Sequence, residues 1–173
     1  MSIDNLRKYV SEACPEVNQL LRANKDASEY TFDSLFEEGI VQQPLYRFVD
    51  NEMANIQGDI FTDKGYLSCT SNFDSFIGHV SGDEVACLQF DIQDHLGRID
   101  VCALLPEYNN EHEIILPRGL EFMVKRYKKY STYKEIQEFL DMIQSVSSAK
   151  EIIDILNIKA IHFYRLSLPG IDN

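Results

Sequence analysis

The chain has 173 residues, of which 45% are hydrophobic and 25% charged, so its size and composition are those of one globular domain with its own core. Sixteen Lys and Arg residues against 28 Asp and Glu residues give a net charge of −12, which excludes a generic binder of nucleic acid or of an anionic membrane. No apolar run approaches the roughly 20 residues that span a bilayer, and no apolar signal segment begins the chain, so the sequence predicts a soluble protein.

The N-terminal part has the hydrophobic spacing of helices. Ile3, Leu6 and Tyr9 recur at helical intervals and predict a helix over 3–13, and Pro15 suits the first turn of a second short helix. A third helical stretch is predicted over 32–38 and ends at Gly39. Together these form a helical N-terminal flank over about residues 1–40.

The middle of the chain changes to short stretches rich in β-branched and aromatic residues, separated by Gly, Asn, Asp or Pro. These predict strands over 45–50, 66–71, 85–92, 99–104, 113–116 and 122–127, with one or two helical turns within 73–80.

The end of the chain returns to helix. Thr132 with Glu135 and Ser148 with Glu151 both have the capping-box pattern, which predicts a helical pair over about 132–156 ahead of a closing strand over 158–168. This order of elements predicts an α+β fold in a single domain, 1–173.

The sequence lacks the motifs of several kinds of ligand site. The eight glycines form neither a dinucleotide-binding fingerprint nor a P-loop, and the four histidines have no zinc-ligand spacing. The four cysteines are not paired in sequence, so we expect free thiols and neither a structural metal nor a disulfide. The basic and aromatic residues of 125–134 predict a solvated strand end, with an acidic partner or nucleic acid as the alternative.

The tripeptide Glu111-His112-Glu113 is the most informative local pattern. In a strand its two carboxylates lie roughly 6 to 7 Å apart on one face, and His112 shares the other face with Ile114 and Leu116. Two close carboxylates allow one to accept a proton while the other stays ionised. For the tripeptide alone, a solvated strand edge is the commoner explanation, because carboxylate pairs at this spacing are frequent on exposed strands.

Two other strands carry polar side chains that a strand does not need for packing. Arg47 lies on a strand face beside Leu45 and Val49, where its charge is costly unless a phosphate or a buried carboxylate meets it. The hydroxyls of Ser68 and Thr70 share a face and can hold a carboxylate or a ribose, or simply satisfy a strand end.

In chain order, Tyr46-Arg47, the stretch from Tyr66 to Thr70, and Glu111-His112-Glu113 with the following I-I-L-P-R-G resemble the arginine, S-T-S and E-x-E series of the ADP-ribosyltransferases of the toxin and exoenzyme type. The resemblance covers about residues 35–127. It implies two small β-sheets packed at a steep angle around an NAD cleft, with flanking helices, and NAD as a substrate without a metal.

The resemblance also implies roles for individual residues. Arg47 would hold an NAD phosphate, and Ser68 would orient the catalytic Glu113. Glu113 would bind the 2′-hydroxyl of the nicotinamide ribose and stabilise the positive charge that develops as nicotinamide leaves. Tyr46 and Thr70 complete the expected cofactor-binding set in these two strands.

Three further residues carry expected roles from the same resemblance. Glu111 would align the acceptor, and a glutamate there goes with arginine acceptors. Tyr108 resembles the aromatic of the substrate-recognition turn, with an ordinary loop aromatic as the alternative. Phe76 would stack on nicotinamide, or else it is a core residue.

The sequence departs from the family pattern at two positions in the same strands. Phe48 stands where glycine is common and would crowd the adenosine side of the cleft, and Cys69 stands in the middle of the S-T-S position.

The expected function is a mono-ADP-ribosyltransferase acting on a protein arginine. The alternatives are an NAD glycohydrolase and a catalytically silent binding module. We expect a monomer with a protein acceptor and no membrane or nucleic-acid partner, in the cytoplasm or delivered into a host cell.

Overall fold

The computed structural model describes residues 2–37, 44–54, 56–72, 74, 81–92, 96–108 and 112–170. The helical turns predicted within 73–80 lie outside these residues, apart from residue 74.

The N-terminal residues form one helical rod instead of two separate helices. It consists of α1 (Ser2–Lys8), a π-helical turn (Tyr9–Ala13) and α2 (Cys14–Arg22). Pro15 has no N–H to donate to the carbonyl four residues earlier, so a regular α-helix cannot continue unchanged through this point. The sequence identified both helical stretches and missed their continuity.

The third helix predicted over 32–38 is wrong. Short 3-10 turns occupy Ser28–Tyr30 and Asp33–Leu35 instead, and Glu37 then forms an isolated β-bridge with Arg98. The apolar residues that suggested a helix serve a tertiary contact, because the ring of Phe32 stacks on that of Tyr66 at 4.2 Å between centroids.

Nine strands of the described residues form one sheet in the order β2-β3-β8-β9-β5-β1-β4-β7-β6. They are β1 (Leu45–Asp50), β2 (Ile56–Gln57), β3 (Ile60–Asp63), β4 (Leu67–Thr70), β5 (Glu84–Asp91), β6 (Ile99–Asp100), β7 (Glu113–Leu116), β8 (Leu120–Tyr130) and β9 (Ala160–Ser167). Strands β5 and β9 are parallel, and the other paired neighbours are antiparallel. The strands predicted over 45–50 and 113–116 are confirmed at both ends, whereas the β2–β3 hairpin was not predicted.

Two details of the predicted strands are wrong. The stretch 99–104 is not one strand, because β6 ends at Asp100, whose carboxylate accepts the N–H of Ala103 at 3.1 Å and begins the short helix α3 (Val101–Leu104). His112 does not share a strand face with Ile114, because its φ of 48° places it in the left-handed region just before β7.

The predicted helical pair between the last two strands is confirmed in its first member. Helix α4 (Tyr133–Met142) begins with the predicted capping box of Thr132 and Glu135. Ser148 and Glu151 exchange the same reciprocal hydrogen bonds, at 3.1 and 3.3 Å, but they precede a π-helical turn (Glu151–Ile155). We call residues 131–159, which link β8 to β9, the helical connection.

The α+β class is confirmed, with the expected strands joined in one curled sheet. Side chains of β1 alternate between two apolar clusters: Tyr46 and Phe48 pack beneath the helical connection, and Leu45 packs in the cluster on the other face. The N-terminal rod packs on a third cluster that includes Ile115 of β7. None of the helices in the described ranges is long and apolar enough to cross a membrane.

Candidate active site

The candidate site lies where two neighbouring strands part. Strand β1 pairs with β5 over all six of its residues, but its pairing with β4 is a single residue pair, Tyr46 with Thr70. Beyond this pair the side chain of Arg47 bridges the two strands, because its Nη1 donates a hydrogen bond to the carbonyl oxygen of Ser68 at 3.0 Å. The guanidinium of β1 is therefore held against β4.

The opposite edge of β4 presents the predicted catalytic carboxylate. Strands β4 and β7 pair with Thr70 opposite Glu113 and Ser68 opposite Ile115. The Ser68 hydroxyl donates a short hydrogen bond to Oε1 of Glu113, whose residue is only 7% exposed. This contact between the hydroxyl and the buried carboxyl group fixes the orientation of Glu113.

Ser68 thus links Arg47 and Glu113, accepting from Arg47 through its backbone carbonyl and donating to Glu113 through its side chain. By strand pairing, the Ser68 and Glu113 side chains share the face of Tyr46, and the Arg47 side chain leaves β1 on the other face. The nearby Cys69 thiol is fully buried, and burial raises its pKa to about 12, while Arg47 acts to lower it and Glu113 to raise it. This thiol is protonated at neutral pH, and only a thiolate is an effective nucleophile. Cys69 therefore fills space within the strand and takes no chemical part.

The other predicted site residues have different positions. The Thr70 hydroxyl is fully buried and closes the turn after β4, donating to the carbonyl of Asn72 at 3.1 Å and accepting its N–H at 2.9 Å. Tyr46 is packed beneath the helical connection, and burial raises its pKa. Tyr108 is half-buried against the N-terminal cluster. Glu111 and Phe76 lie outside the described residues.

A cavity of about 550 Å³ opens on the Arg47 side of the parted strands. Three cationic residues, Arg22, Arg47 and Lys64, contribute to its lining, together with two acidic residues, Glu52 and Asp63. The lining therefore carries one positive charge in excess, in a chain with a net charge of −12, and guanidinium groups suit phosphate oxygens in particular. The cavity is therefore suited to a ligand that carries phosphate groups.

Sequence reasoning missed Arg22, although it is one of these cations. Its guanidinium makes two hydrogen bonds, of 2.8 and 2.6 Å, to the carboxylate of Asp63 at the end of the β2–β3 hairpin. Burial alone would raise the pKa of Asp63, but the bonds from Arg22 and from the N–H of Gly65 hold it below its usual value. Because the hairpin was not predicted, no signal in the sequence connected Arg22 with the site.

Asn18 fastens α2, and so Arg22, to the sheet. Its Oδ1 accepts the N–H of Tyr66 at 2.8 Å, and its Nδ2 donates to the Tyr9 hydroxyl at 2.8 Å. The helix approaches so closely that a Cβ at position 65 would stand 2.5 Å from this Oδ1, so Gly65 is required here.

Phe48 does not line the cationic cavity. Its side chain points to the opposite face from Arg47, is 6% exposed and packs beneath the helical connection. It is absent from the residues that line the cavity. Within the described residues, no group of three or more His, Cys, Asp and Glu side chains could hold a metal ion.

Comparison with known proteins defines the class to which this fold and site belong. Residues 29–155 match the family model of the ADP-ribosyltransferase exoenzymes, so the chain belongs to the ADP-ribosyltransferase exoenzyme family. None of the curated proteins matches the chain.

Solved structures of low sequence identity share the fold. Exoenzyme S from Pseudomonas aeruginosa, solved with human 14-3-3 protein beta and carba-NAD, is 14% identical, with a TM-score of 0.60 over 99% of this chain and 75% of that chain. C3stau2 from S. aureus, solved with NAD, is 15% identical, with a TM-score of 0.61 over 96% and 87%. Plx2a, an ADP-ribosyltransferase toxin from Paenibacillus larvae, is 13% identical, with a TM-score of 0.55 over 98% and 86%.

Proposed function

We propose that the chain is a mono-ADP-ribosyltransferase, which transfers ADP-ribose from NAD to an arginine side chain of a protein and releases nicotinamide. The observation that carries this proposal is the hydrogen bond from Ser68 to the buried Glu113, beside the strand junction that Arg47 bridges. Membership of the exoenzyme family supports the transferase class, and two solved structures of similar fold contain NAD or its carba analogue.

The cationic cavity is the proposed site for the pyrophosphate. Arg47 uses one hydrogen bond to anchor itself on Ser68, and a guanidinium has five N–H donors, so others are left for phosphate oxygens. Arg22 is held in place by Asp63, and Lys64 adds a third positive charge to the lining. A fixed set of cations binds a dianionic group without the entropy cost of first ordering the side chains.

Glu113 is the proposed catalytic residue. NAD supplies a glycosidic bond whose cleavage leaves positive charge on the ribose. A carboxylate already held by Ser68 stabilises this charge without having to reorient, which is the advantage of preorganised electrostatics. A carboxylate oxygen can accept a hydrogen bond from a ribose hydroxyl.

The acceptor is proposed from charge and from Glu111. A protein of net charge −12 attracts basic partners, and a second carboxylate two residues before Glu113 suits a guanidinium. Tyr108, on the turn that precedes it, is the proposed contact with the acceptor protein. Because the relatives of similar fold include a toxin, we further propose that the chain is delivered into another cell.

The test uses purified protein, NAD labelled in the adenosine part, and a cell lysate as the source of acceptors. The wild type is expected to release nicotinamide and label protein arginines. Glu113→Gln is expected to lose both by about 100-fold or more, since a charge at the reacting centre is removed. Glu121→Gln, an exposed glutamate on β8, is the matched control and should retain activity.

Other outcomes of this assay would support the alternative functions or contradict the role of Glu113. Nicotinamide release without labelled protein identifies an NAD glycohydrolase. Full activity in Glu113→Gln contradicts the catalytic role. A wild type that neither binds NAD in calorimetry nor releases nicotinamide is a binding module.

A further inference from the structure

The helical connection is fastened to the end of β4 through Asp74. One carboxylate oxygen, Oδ1, accepts a short hydrogen bond from the Ser145 hydroxyl and a second, at 3.1 Å, from the Ser147 hydroxyl. Oδ2 accepts the N–H of Val146 at 3.2 Å, and the N–H of Asp74 donates to Oδ1 of Asn72 at 3.1 Å. The turn after α4 is therefore tied to the strand that carries Ser68.

A second cavity, of about 460 Å³, lies at this joint. The described residues of its lining come from the chain after β4, from the end of α4 and from the start of β1. They are Ser71, Asn72, Asp74, Met142, Ile143, Gln144, Pro44 and Tyr46. None of these residues lines the cationic cavity.

Strand pairing relates this cavity to the reacting centre. Tyr46 lies opposite Thr70, which in turn lies opposite Glu113, and directly paired residues project from the same face of a sheet. Neighbouring strands are about 4.8 Å apart, so Tyr46 and Glu113 are separated by two spacings, about 10 Å. Tyr46, which lines the second cavity, thus lies on the same face of the sheet as Glu113, with the buried Thr70 between them.

The chemistry of the lining selects a basic occupant. Asp74 provides a carboxylate, whose oxygens already accept hydrogen bonds from the turn after α4 but keep their negative charge. The described residues of the lining include no Lys or Arg, and Tyr46, Met142 and Ile143 offer apolar surface. An arginine or lysine side chain has this combination of an apolar stem and a cationic head. The net charge of −12 adds a general attraction for such a group.

We propose that this second cavity docks a basic side chain of the acceptor protein, next to the residue that is modified. The proposal rests on the proposed arginine-directed transfer and gives the helical connection a role in acceptor binding. When a protein is bound at the docking cavity, its neighbouring arginine has a raised effective concentration at the reacting centre. An acceptor with one guanidinium group cannot have this advantage.

The test compares two acceptors and two matched variants. Protamine, which has many arginines, can fill both positions, whereas agmatine carries one guanidinium. Met142 lines the cavity and is 46% exposed, whereas Val146 does not line it and is 89% exposed. Met142→Arg therefore adds a positive charge in the cavity, and Val146→Arg adds the same charge outside it. We expect Met142→Arg to raise the ratio of the protamine KM to the agmatine KM about tenfold, and Val146→Arg to leave it within about twofold.

Three results would overturn the inference. An equal change in both variants would show a general charge effect. A higher KM for NAD, or weaker inhibition by nicotinamide, in Met142→Arg alone would assign the cavity to NAD. A wild type that modifies neither acceptor would refute arginine transfer itself, and this is visible before any variant is made. Melting temperatures of both variants check that the fold is retained.

Discussion

Ser68→Ala tests the contact on which the proposed mechanism depends. The substitution deletes one hydroxyl and keeps the backbone carbonyl, so the hydrogen bond from Arg47 to that carbonyl can persist. What is lost is the hydrogen bond to Glu113, a carboxylate that is only 7% exposed. The variant therefore separates the orientation of Glu113 from the position of Arg47.

The magnitude follows from the charge of the acceptor group. A hydrogen bond to an ionised group contributes about 1.5–3 kcal/mol. If this bond stabilises the carboxylate orientation needed when positive charge develops, its loss slows the reaction by about 10- to 150-fold. The effect should fall mainly on kcat, because the cationic residues proposed to bind the pyrophosphate are unchanged.

The assay is nicotinamide release at saturating NAD, with the melting temperature measured in parallel. Ser81→Ala is the matched control, because the Ser81 hydroxyl also donates to a carboxylate, that of Asp50 at 2.9 Å, but at an exposed position away from the site. A decrease of less than about twofold in Ser68→Ala, or an equal decrease in Ser81→Ala, would refute the reasoning.

Three more variants address binding and stability. Arg47→Lys should weaken NAD binding in calorimetry by about tenfold or more, because an ammonium lacks the planar set of N–H donors with which a guanidinium can contact Ser68 and a phosphate together. Unchanged affinity would exclude Arg47 from the phosphate site. Asn18→Ala should lower the free energy of unfolding in urea by about 1–3 kcal/mol, since the buried backbone N–H of Tyr66 loses its acceptor; a neutral effect would mean that water replaces the amide. The pKa of Asp63 is lower in the folded state than in the unfolded state, where it is about 3.9, so ionised Asp63 stabilises the fold at pH values above about 3.9. This stabilisation is lost as the pH falls through the pKa of the folded state. The stability advantage of the wild type over Arg22→Gln should therefore be constant near neutral pH and shrink below about pH 4, and an advantage that grows in acid would contradict the assignment.

Elements whose signals are local could be predicted from the sequence. Strand β1 and helix α4 depend on alternation and on a capping box, both of which are properties of adjacent residues. The stretch 99–104 was predicted as a strand because it contains β-branched residues, but a helix begins after Asp100. The only local sign of this helix was Asp100 itself, a residue type that favours the N-cap position.

Elements that depend on distant contacts could not be predicted in this way. Asn18 is polar yet buried, because its partner Tyr66 arrives from 48 residues away. Arg22 is a site residue only because Asp63 holds it, and the hairpin that carries Asp63 has too short a pattern to be recognised. The family resemblance found the residues of the central strands, whereas the cations supplied by α2 and the β2–β3 hairpin required the fold.

The position of the site has a physical cause in the strand pairing. If the antiparallel ladder of β1 and β4 continued past Tyr46 and Thr70, Phe48 would lie opposite Ser68 and supply a backbone partner. Because the strands part first, the carbonyl of Ser68 takes its hydrogen bond from the side chain of Arg47 instead. A buried carbonyl needs a donor, and a guanidinium can supply one while its other N–H groups point elsewhere. The interruption of the sheet thus leaves a carbonyl of β4 that fixes Arg47, one of the residues that line the cationic cavity.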